Sequence, residues 1–292
     1  MLFAKAIFVA LLAAVGTEAA LNKQLAYPNG LHDPFDPGFT KYTKVAPYKL
    51  KKWTNGLIPQ GCKDRLVELK LDLKKAEVYD VTYNTGCKQP WVFCRAGNAQ
   101  LDIKTMANLF GRLPLHMRAL VRHPIAVPQS SCSALAYTDR GDIVMKGNCN
   151  TPSVWIHETG HQMDAMLKPA SAESRSTAWK NAIKADSCVP DSYANVNEVE
   201  DFAQNTVVAL FKSIRGSIPK PSKAGCFNNQ LNRVLNKYKT RYLTYGGVCN
   251  GKVPPSKPVN KNAKEVNKLA VLETGTVVGE CHFNTTLDQE IV

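Results

Sequence analysis

The sequence predicts an α+β protein in which a small mixed sheet and several helices surround one central helix, held together by disulfides. Three observations predict this class. Short β-branched stretches such as Val78 to Tyr83 occur beside longer amphipathic stretches such as Glu198 to Ile214. A stretch with helical spacing, Trp155 to Asp164, carries two histidines near the middle of the chain. All nine cysteines come after residue 60, and this number is typical of exported, disulfide-bonded proteins.

The first nineteen residues predict a secretory signal peptide. Lys5 precedes an apolar run from Ala6 to Val15, and Thr17-Glu18-Ala19 offers small residues before a cut after Ala19. The apolar run is too short to span a bilayer, and no later stretch is apolar for long enough. We therefore expect a secreted, extracellular protein without a transmembrane segment.

Residues 20–60 predict an extended N-terminal arm or a propeptide. Turn signals such as Tyr27-Pro28-Asn29-Gly30 occur there without sustained periodicity, and Lys51-Lys52 is a candidate processing site. Residues 61–292 are then expected to form one domain that ends in a basic segment.

The cysteines predict up to four disulfides and one remaining thiol. Spacing alone does not choose the pairs, but the two local pairs, Cys87 with Cys94 and Cys132 with Cys149, are the first candidates. Asn284-Thr285-Thr286 is an N-glycosylation sequon, so we expect a glycoprotein.

The elements before the central helix follow from hydrophobic periodicity. Asp64 to Lys75 permits a helix or a strand, whereas Val78 to Tyr83 favours a strand. Two short helices are expected, at Ala99 to Phe110 and at Pro114 to Arg122. Ser133 to Tyr137 and Ile143 to Lys146 predict a hairpin, and an edge strand beside the central helix can bind an extended peptide by strand addition.

The central helix is expected to start at Thr151-Pro152-Ser153, because Pro suits a first turn, and to run to about Leu167. Later helices are expected at Ser171 to Asp186, at Glu198 to Ile214 with Asn195 or Asn197 as its cap, and at Ala224 to Leu243. A last strand is expected at Leu269 to Val278.

The formal net charge of +13 is unevenly spread. Between Lys212 and Lys268 there are thirteen Lys or Arg residues and one acid, Glu265. Such a field favours an anionic partner, which for an exported protein is an acidic polysaccharide, a membrane surface or an acidic protein. The alternative is a solvated basic surface that aids solubility. Without a recognisable nucleic-acid module, no nucleic-acid partner is expected.

The central helix carries the pattern His157-Glu158-Thr159-Gly160-His161. Residues four apart lie on one face of a helix, so the two imidazoles can share one zinc ion, and the adjacent Glu158 can reach a water on that ion. The alternative is a pair of unrelated histidines. The pattern favours a Zn²⁺ site with His157 and His161 as ligands.

A catalytic zinc site needs a third protein ligand. The candidates from spacing are the acids of the next long helix, Glu198, Glu200 and Asp201. Glu198 is also explained as a first-turn acid that complements the helix dipole.

Two motifs resemble the lethal-factor-like gluzincin zinc metallopeptidases. The first is His157-Glu158-Thr159-Gly160-His161-Gln162-Met163-Asp164, and the second is Ser192-Tyr193-Ala194-Asn195-Val196-Asn197-Glu198-Val199-Glu200-Asp201-Phe202-Ala203-Gln204. The overall layout also resembles, more loosely, secreted fungal proteins described as conidiation-specific.

The first resemblance implies a zincin-like fold and a zinc endopeptidase. It implies that His157, His161 and Glu200 are the zinc ligands. It also implies that Glu158 is the general base and that Tyr193 donates a hydrogen bond to the oxyanion.

The chain departs from the family pattern at two positions. Asp201 stands where the family tends to carry an apolar or aromatic residue, so Asp201 is a rival ligand to Glu200, and Gln204 replaces a Glu. Asp164 shares the face of the two histidines, so it either orients a ligand imidazole or solvates the helix end.

Two functions remain open from sequence. The first is a secreted, monomeric zinc endopeptidase that hydrolyses peptide bonds of a peptide or protein substrate. The second is a secreted metal-binding protein without catalysis, which attaches to a surface or cell wall through its basic segment.

Overall fold

The computed structural model describes residues 20–263 and 277–282. In this part of the chain a mixed sheet packs against helices, which confirms the predicted α+β class. No helix among these residues combines the length and the apolar composition needed to cross a membrane. The expected signal peptide, residues 1–19, and the sequon at Asn284 lie outside the described residues.

The described residues form eleven strands. They are β1 (Gln24–Leu25), β2 (Tyr48–Lys52), β3 (Leu57–Pro59), β4 (Glu77–Tyr83), β5 (Trp91–Arg95), β6 (His123–Val127), β7 (Ser133–Tyr137), β8 (Asp142–Lys146), β9 (Cys188–Val189), β10 (Pro258–Asn260) and β11 (Val277–His282). The strands predicted at 78–83, 133–137 and 143–146 are therefore present. Of the strand expected at 269–278, residues 269–276 lie outside the described residues, and β11 begins at Val277.

Seven strands form one mixed sheet in the order β11-β7-β8-β6-β5-β4-β2. The pairs β5–β6 and β6–β8 are parallel, and the other neighbours in this sheet are antiparallel. All residues of β6 and β7 are buried, as expected for strands covered on both faces. Two small sheets pair β1 with β9 and β3 with β10.

Eight α-helices lie in the described residues. They are α1 (His32–Tyr42), α2 (Gln60–Glu68), α3 (Ile103–Gly111), α4 (Leu115–Ala119), α5 (Pro152–Ala165), α6 (Thr177–Ala185), α7 (Glu198–Arg215) and α8 (Asn228–Tyr242). Every helix predicted after residue 98 is present, and α3, α6 and α8 begin four to six residues later than predicted. Between 64 and 75 the helix ends at Glu68, where Lys70 turns the chain with a φ of 57°.

The predicted central helix is α5, and all of its residues are buried. It contacts α7, β7 and α1. A surface helix keeps one polar face in water. Because α5 has no such face, its polar side chains need partners inside the protein.

Aromatic side chains join α5 to the sheet. Phe110 of α3 lies between Phe93 of β5 and Trp155 of α5, at ring-centroid distances of 5.2 Å and 6.4 Å. The indole N–H of Trp155 donates to the carbonyl of Cys149 at 3.0 Å. These contacts fix the first half of α5 against the sheet.

The segment 20–60 differs from an extended arm. It contains α1, and Phe35 and Phe39 of that helix are buried against Phe211 at ring-centroid distances of 5.0 Å and 5.2 Å. Pro34 is accommodated because it lies in the first helical turn, where no amide donor is needed, whereas Pro37 lies inside the helix. Removal of this segment as a propeptide stays a prediction.

Four disulfides join Cys62–Cys94, Cys87–Cys249, Cys132–Cys149 and Cys188–Cys226. The predicted pair Cys132–Cys149 is confirmed, and the predicted pair Cys87–Cys94 is wrong. Cys94 lies within β5 and reaches α2 instead, whereas Cys87 follows β4 and holds the chain beyond α8. Cys281 is the ninth cysteine.

The N-terminus of α5 is capped by a distant residue. Thr151, at the capping position, makes no side-chain cap. Asp36 of α1 accepts hydrogen bonds from the backbone N–H and the hydroxyl of Ser153, both at 2.7 Å. This carboxylate also lies at the positive end of the helix dipole.

Asp36→Ala is expected to lower the free energy of unfolding by about 2 kcal/mol, because it leaves two buried donors of Ser153 unpaired. Urea unfolding with the disulfides intact measures this change. Asp33→Ala is the matched control on the same helix, since the Asp33 side chain is 73% exposed. Equal destabilisation by the two variants would contradict the capping role of Asp36.

Candidate metal centre

Two histidines of α5 form the base of the site. His157 and His161 lie one turn apart, with ring centroids 4.6 Å apart and Nε2 atoms 3.0 Å apart. Both side chains are buried. The predicted juxtaposition of the two imidazoles is therefore present.

The third donor comes from α7, which crosses α5. Oε2 of Glu200 lies 3.1 Å from Nε2 of His157 and 3.2 Å from Nε2 of His161. Asn197 caps α7, because its Oδ1 accepts from the N–H groups of Val199 and Glu200 at 2.9 Å and 2.8 Å. This cap positions Glu200 in the first turn.

Gly160 lets the two helices approach closely. A Cβ at this position would lie 3.1 Å from Cβ of Thr206 and 3.4 Å from Cα of Ala203, both on α7. A side chain at this position would therefore require Thr206 or the backbone of α7 to shift by a few tenths of an ångström.

The three donor atoms fit a metal ion. Zinc bonds of about 2.0–2.1 Å in a tetrahedron place neighbouring donors ~3.3 Å apart. The separations of 3.0–3.2 Å among His157, His161 and Glu200 are close to this value. Among the described residues, these three form the one group of metal-ligating side chains that converges in this way.

The protonation of the donors also suits a cation. Burial lowers the pKa of His157, which favours the neutral imidazole. Burial alone would raise the pKa of Glu200, but His161 and the hydrogen bonds of both imidazoles lower it to about 2. The site therefore offers neutral imidazole nitrogen and an ionised carboxylate, which are the forms that bind zinc.

A chain of hydrogen bonds fixes the orientation of His157. Its Nδ1 faces Oε1 of Gln204 at 3.1 Å, so Nδ1 carries the proton and donates, and Nε2 keeps its lone pair. Nε2 of Gln204 donates to Oδ2 of Asp191 at 2.6 Å. An outer partner of this kind fixes the tautomer of a metal-ligating histidine.

Asp191 also holds the turn that carries Tyr193. Its Oδ1 accepts from the N–H groups of Tyr193 and Ala194 at 3.1 Å and 2.9 Å. The ring centroid of Tyr193 lies 5.4 Å from that of His157. One buried aspartate thus holds the turn of Tyr193, the predicted oxyanion donor, and orients His157 through Gln204.

Glu158 is fully buried, and neither of its carboxyl oxygens has a hydrogen-bond partner among the described residues. Burial raises the pKa of Glu158 well above its usual range, and the charge of Glu200 adds to this. An ionised carboxylate without partners is costly inside a protein. Such a group is typical of a functional site rather than of a structural one.

The other acids lie apart from the donors. Oδ1 of Asp201 accepts from the amide of Asn205 at 3.0 Å, and burial raises the pKa of Asp201 well above its usual range. Glu198 lies in the first turn of α7, outside the converging group.

Neither prediction for Asp164 is correct. Its Oδ1 accepts from the N–H of Ser174 at 2.8 Å and its Oδ2 accepts from the hydroxyl of the same residue. Asp164 is buried, and it fixes the turn that follows α5 instead of a ligand imidazole.

Sequence reasoning missed Asp191 and the role of Gln204, which stood out only as a departure from the family pattern. A local signal existed for Asp191, because an Asp two residues before Tyr193 favours a turn closed by its own side chain. Its link to Gln204 depends on packing of that turn against α7, and no sequence pattern reports it.

Comparison with known proteins gives a family match. The family model described as Conidiation-specific protein Con-13 matches residues 28–252. Conidiation-specific protein 13 of Neurospora crassa is 33% identical over 196 residues, which cover 65% of this chain and 56% of the relative. The chain thus spans little more than half the length of this curated relative. No solved structure matches the chain.

Glu200→Ala is expected to reduce the zinc bound after dialysis from about one ion per chain to nearly none, because a charged donor is lost. Metal analysis of the purified protein measures this. Asp201→Asn is the control, since it changes the next residue without altering the donor group. Zinc lost equally from both variants, or only from Asp201→Asn, would contradict Glu200 as a ligand.

Gln204→Met is expected to weaken zinc binding by about 10–100-fold, because His157 loses the acceptor that fixes its tautomer. Competition with a chromogenic chelator gives the dissociation constant. Gln162→Met is the matched control, since Gln162 is also buried but donates to the strand carbonyl of Asp142 at 3.0 Å. An equal loss of affinity in both variants would show a general effect on folding instead.

Proposed function

This chain belongs to the Con-13 family of conidiation-specific proteins, and for it we propose the function of a secreted, zinc-dependent endopeptidase with a zincin-like fold. The observation that carries the proposal is the convergence of three metal donors beside a buried carboxyl group without partners. His157, His161 and Glu200 supply the donors, and Glu158 supplies the carboxyl group.

His157, His161 and Glu200 would hold the ion. Zinc, when bound, supplies a Lewis acid that polarises a peptide carbonyl and lowers the pKa of water towards neutrality. Gln204 keeps Nε2 of His157 free of a proton. Burial of the donors keeps competing water away from the ligand atoms.

Glu158 is proposed as the general base. Its carboxylate takes a proton from the attacking water and passes it to the nitrogen of the leaving amine. The environment that raises its pKa favours holding that proton between the two transfers. Because Glu158 has no structural hydrogen bond among the described residues, proton transfer would not disrupt the fold.

Tyr193 is proposed as the donor to the developing oxyanion. Its ring lies beside His157 on a turn held by Asp191. A hydroxyl that donates where negative charge appears stabilises the transition state more than the bound substrate. Asp191 would support this role because it limits movement of the turn.

The alternative is a secreted metal-binding protein without catalysis. Two observations favour it: the donor side chains are almost completely buried, and cations such as Lys220, Lys223 and Lys239 are exposed in the basic segment. An anionic polysaccharide or surface is its partner. A wild-type protein that binds zinc and anionic polysaccharide, but cleaves no member of a diverse peptide library, would favour this alternative.

Glu158→Gln is expected to keep zinc while lowering peptide hydrolysis by about 10²–10⁴-fold, because the proton acceptor is lost and the ligands remain. Zinc content and cleavage of a peptide library, each with and without chelator, are measured together. Glu198→Gln is the control, since it removes a neighbouring acid outside the donor group. Full hydrolysis by Glu158→Gln would exclude Glu158 as the base.

A further inference from the structure

The candidate site is closed to large molecules. His157 is 1% exposed, and Glu158, His161 and Glu200 are 0% exposed. A peptide bond can reach these groups only after some part of the chain has moved.

β11 lies in a suitable position. It pairs antiparallel with β7, with Val277 opposite Tyr137 and Cys281 opposite Ala134. It also contacts α7, the helix that carries Glu200. β11 therefore lies on the outer edge of β7, beside the ligand-bearing helix.

α5 packs against β7 and contacts the end of the β7–β8 hairpin. Gln162, which follows His161 in α5, donates from its amide to the carbonyls of Tyr137 and Asp142 at 3.4 Å and 3.0 Å. An extended peptide that paired with β7 would pass next to the site, since strand addition uses the backbone groups of an edge strand. In this structure β11 pairs with these backbone groups of β7.

β11 is joined to β7 by an irregular pairing and not by a covalent bond. The pairing covers four residue pairs, and its register is interrupted between Val278 and Cys281. The other eight cysteines pair with one another, so no disulfide ties β11 to the rest of the chain. By contrast, the segment before β10 is tied to the sheet region through Cys249.

We propose that β11 is an internal occupant of the peptide-binding edge, and that extended peptides reach the site only when β11 leaves β7. This inference rests on the proposed endopeptidase function, because it treats a substrate peptide as the competitor. A segment of the same chain competes at an effective concentration of about millimolar. Peptides at micromolar concentration would then gain little access until β11 is displaced.

The register permits a direct test with a covalent lock. Directly opposite residues of an antiparallel pair have Cα atoms about 4.5–5.5 Å apart, within the range that a disulfide spans. Ala134→Cys places a second cysteine opposite Cys281. Ala136→Cys is the matched control, since Ala136 is equally buried on the same strand but lies opposite Val278.

Both variants are treated with oxidised glutathione, and mass spectrometry of peptides establishes the cross-link. Two rates are then compared. One is modification of His157 and His161 by diethylpyrocarbonate in metal-stripped protein, which reports access alone. The other is hydrolysis of a peptide library by the zinc-loaded protein. The lock is expected to lower both rates by about tenfold or more relative to Ala136→Cys.

Val278→Pro provides the opposite change, because proline disrupts strand pairing. It is expected to raise both rates above those of the wild type. Val248→Pro is its control, since Val248 is 71% exposed and lies outside the strands.

The outcomes separate the two proposals. Histidine modification and hydrolysis that are as fast in the locked protein as in Ala136→Cys would overturn the role of β11. Slower histidine modification in the locked protein, together with no hydrolysis by any variant, would support the role of β11 and overturn the endopeptidase function.

Discussion

The rest of the structure depends on one constraint: the polar side chains of the buried helix α5 need hydrogen-bond partners inside the protein. α5 is buried on every side although it carries histidine, acid and amide side chains. Burial of polar groups without hydrogen bonds costs about 1–3 kcal/mol for each group. The surrounding elements supply the partners: Asp36 for Ser153, Gln204 for His157, and Ser174 for Asp164. Glu158 has no such partner among the described residues, and it is therefore the candidate catalytic group.

Features set by neighbours in the chain could be predicted from the sequence. The one-turn spacing of His157 and His161 and the β7–β8 hairpin depend on local sequence pattern. So does the cap of α7, which was expected at Asn195 or Asn197 and is formed by Asn197. The sequence also limits the third donor to the acids in the first turn of α7. Glu200 and Asp201 are successive residues of that helix, so they point in different directions, and only Glu200 faces the histidines.

Features set by packing could not be predicted. α1 has the composition of a turn region, and it is helical because Phe35 and Phe39 are buried against α7. The Cys87–Cys249 pair joins residues 162 apart, and only the folded path of the chain brings them together. The Asp191 to Gln204 hydrogen bond depends on how one turn lies against α7. In each case residues that are far apart in the sequence are in contact in the folded protein.

The disulfide Cys87–Cys249 encloses the helices of the candidate site together with two smaller loops, Cys132–Cys149 and Cys188–Cys226. A single backbone cut between residues 88 and 248 would leave two fragments that stay covalently joined. Because the fragments stay joined, α5 and α7 would remain at a high effective concentration relative to each other after such a cut. The proposed endopeptidase would meet other copies of its own chain as possible substrates, and this covalent ring would keep the two fragments joined after a single cut.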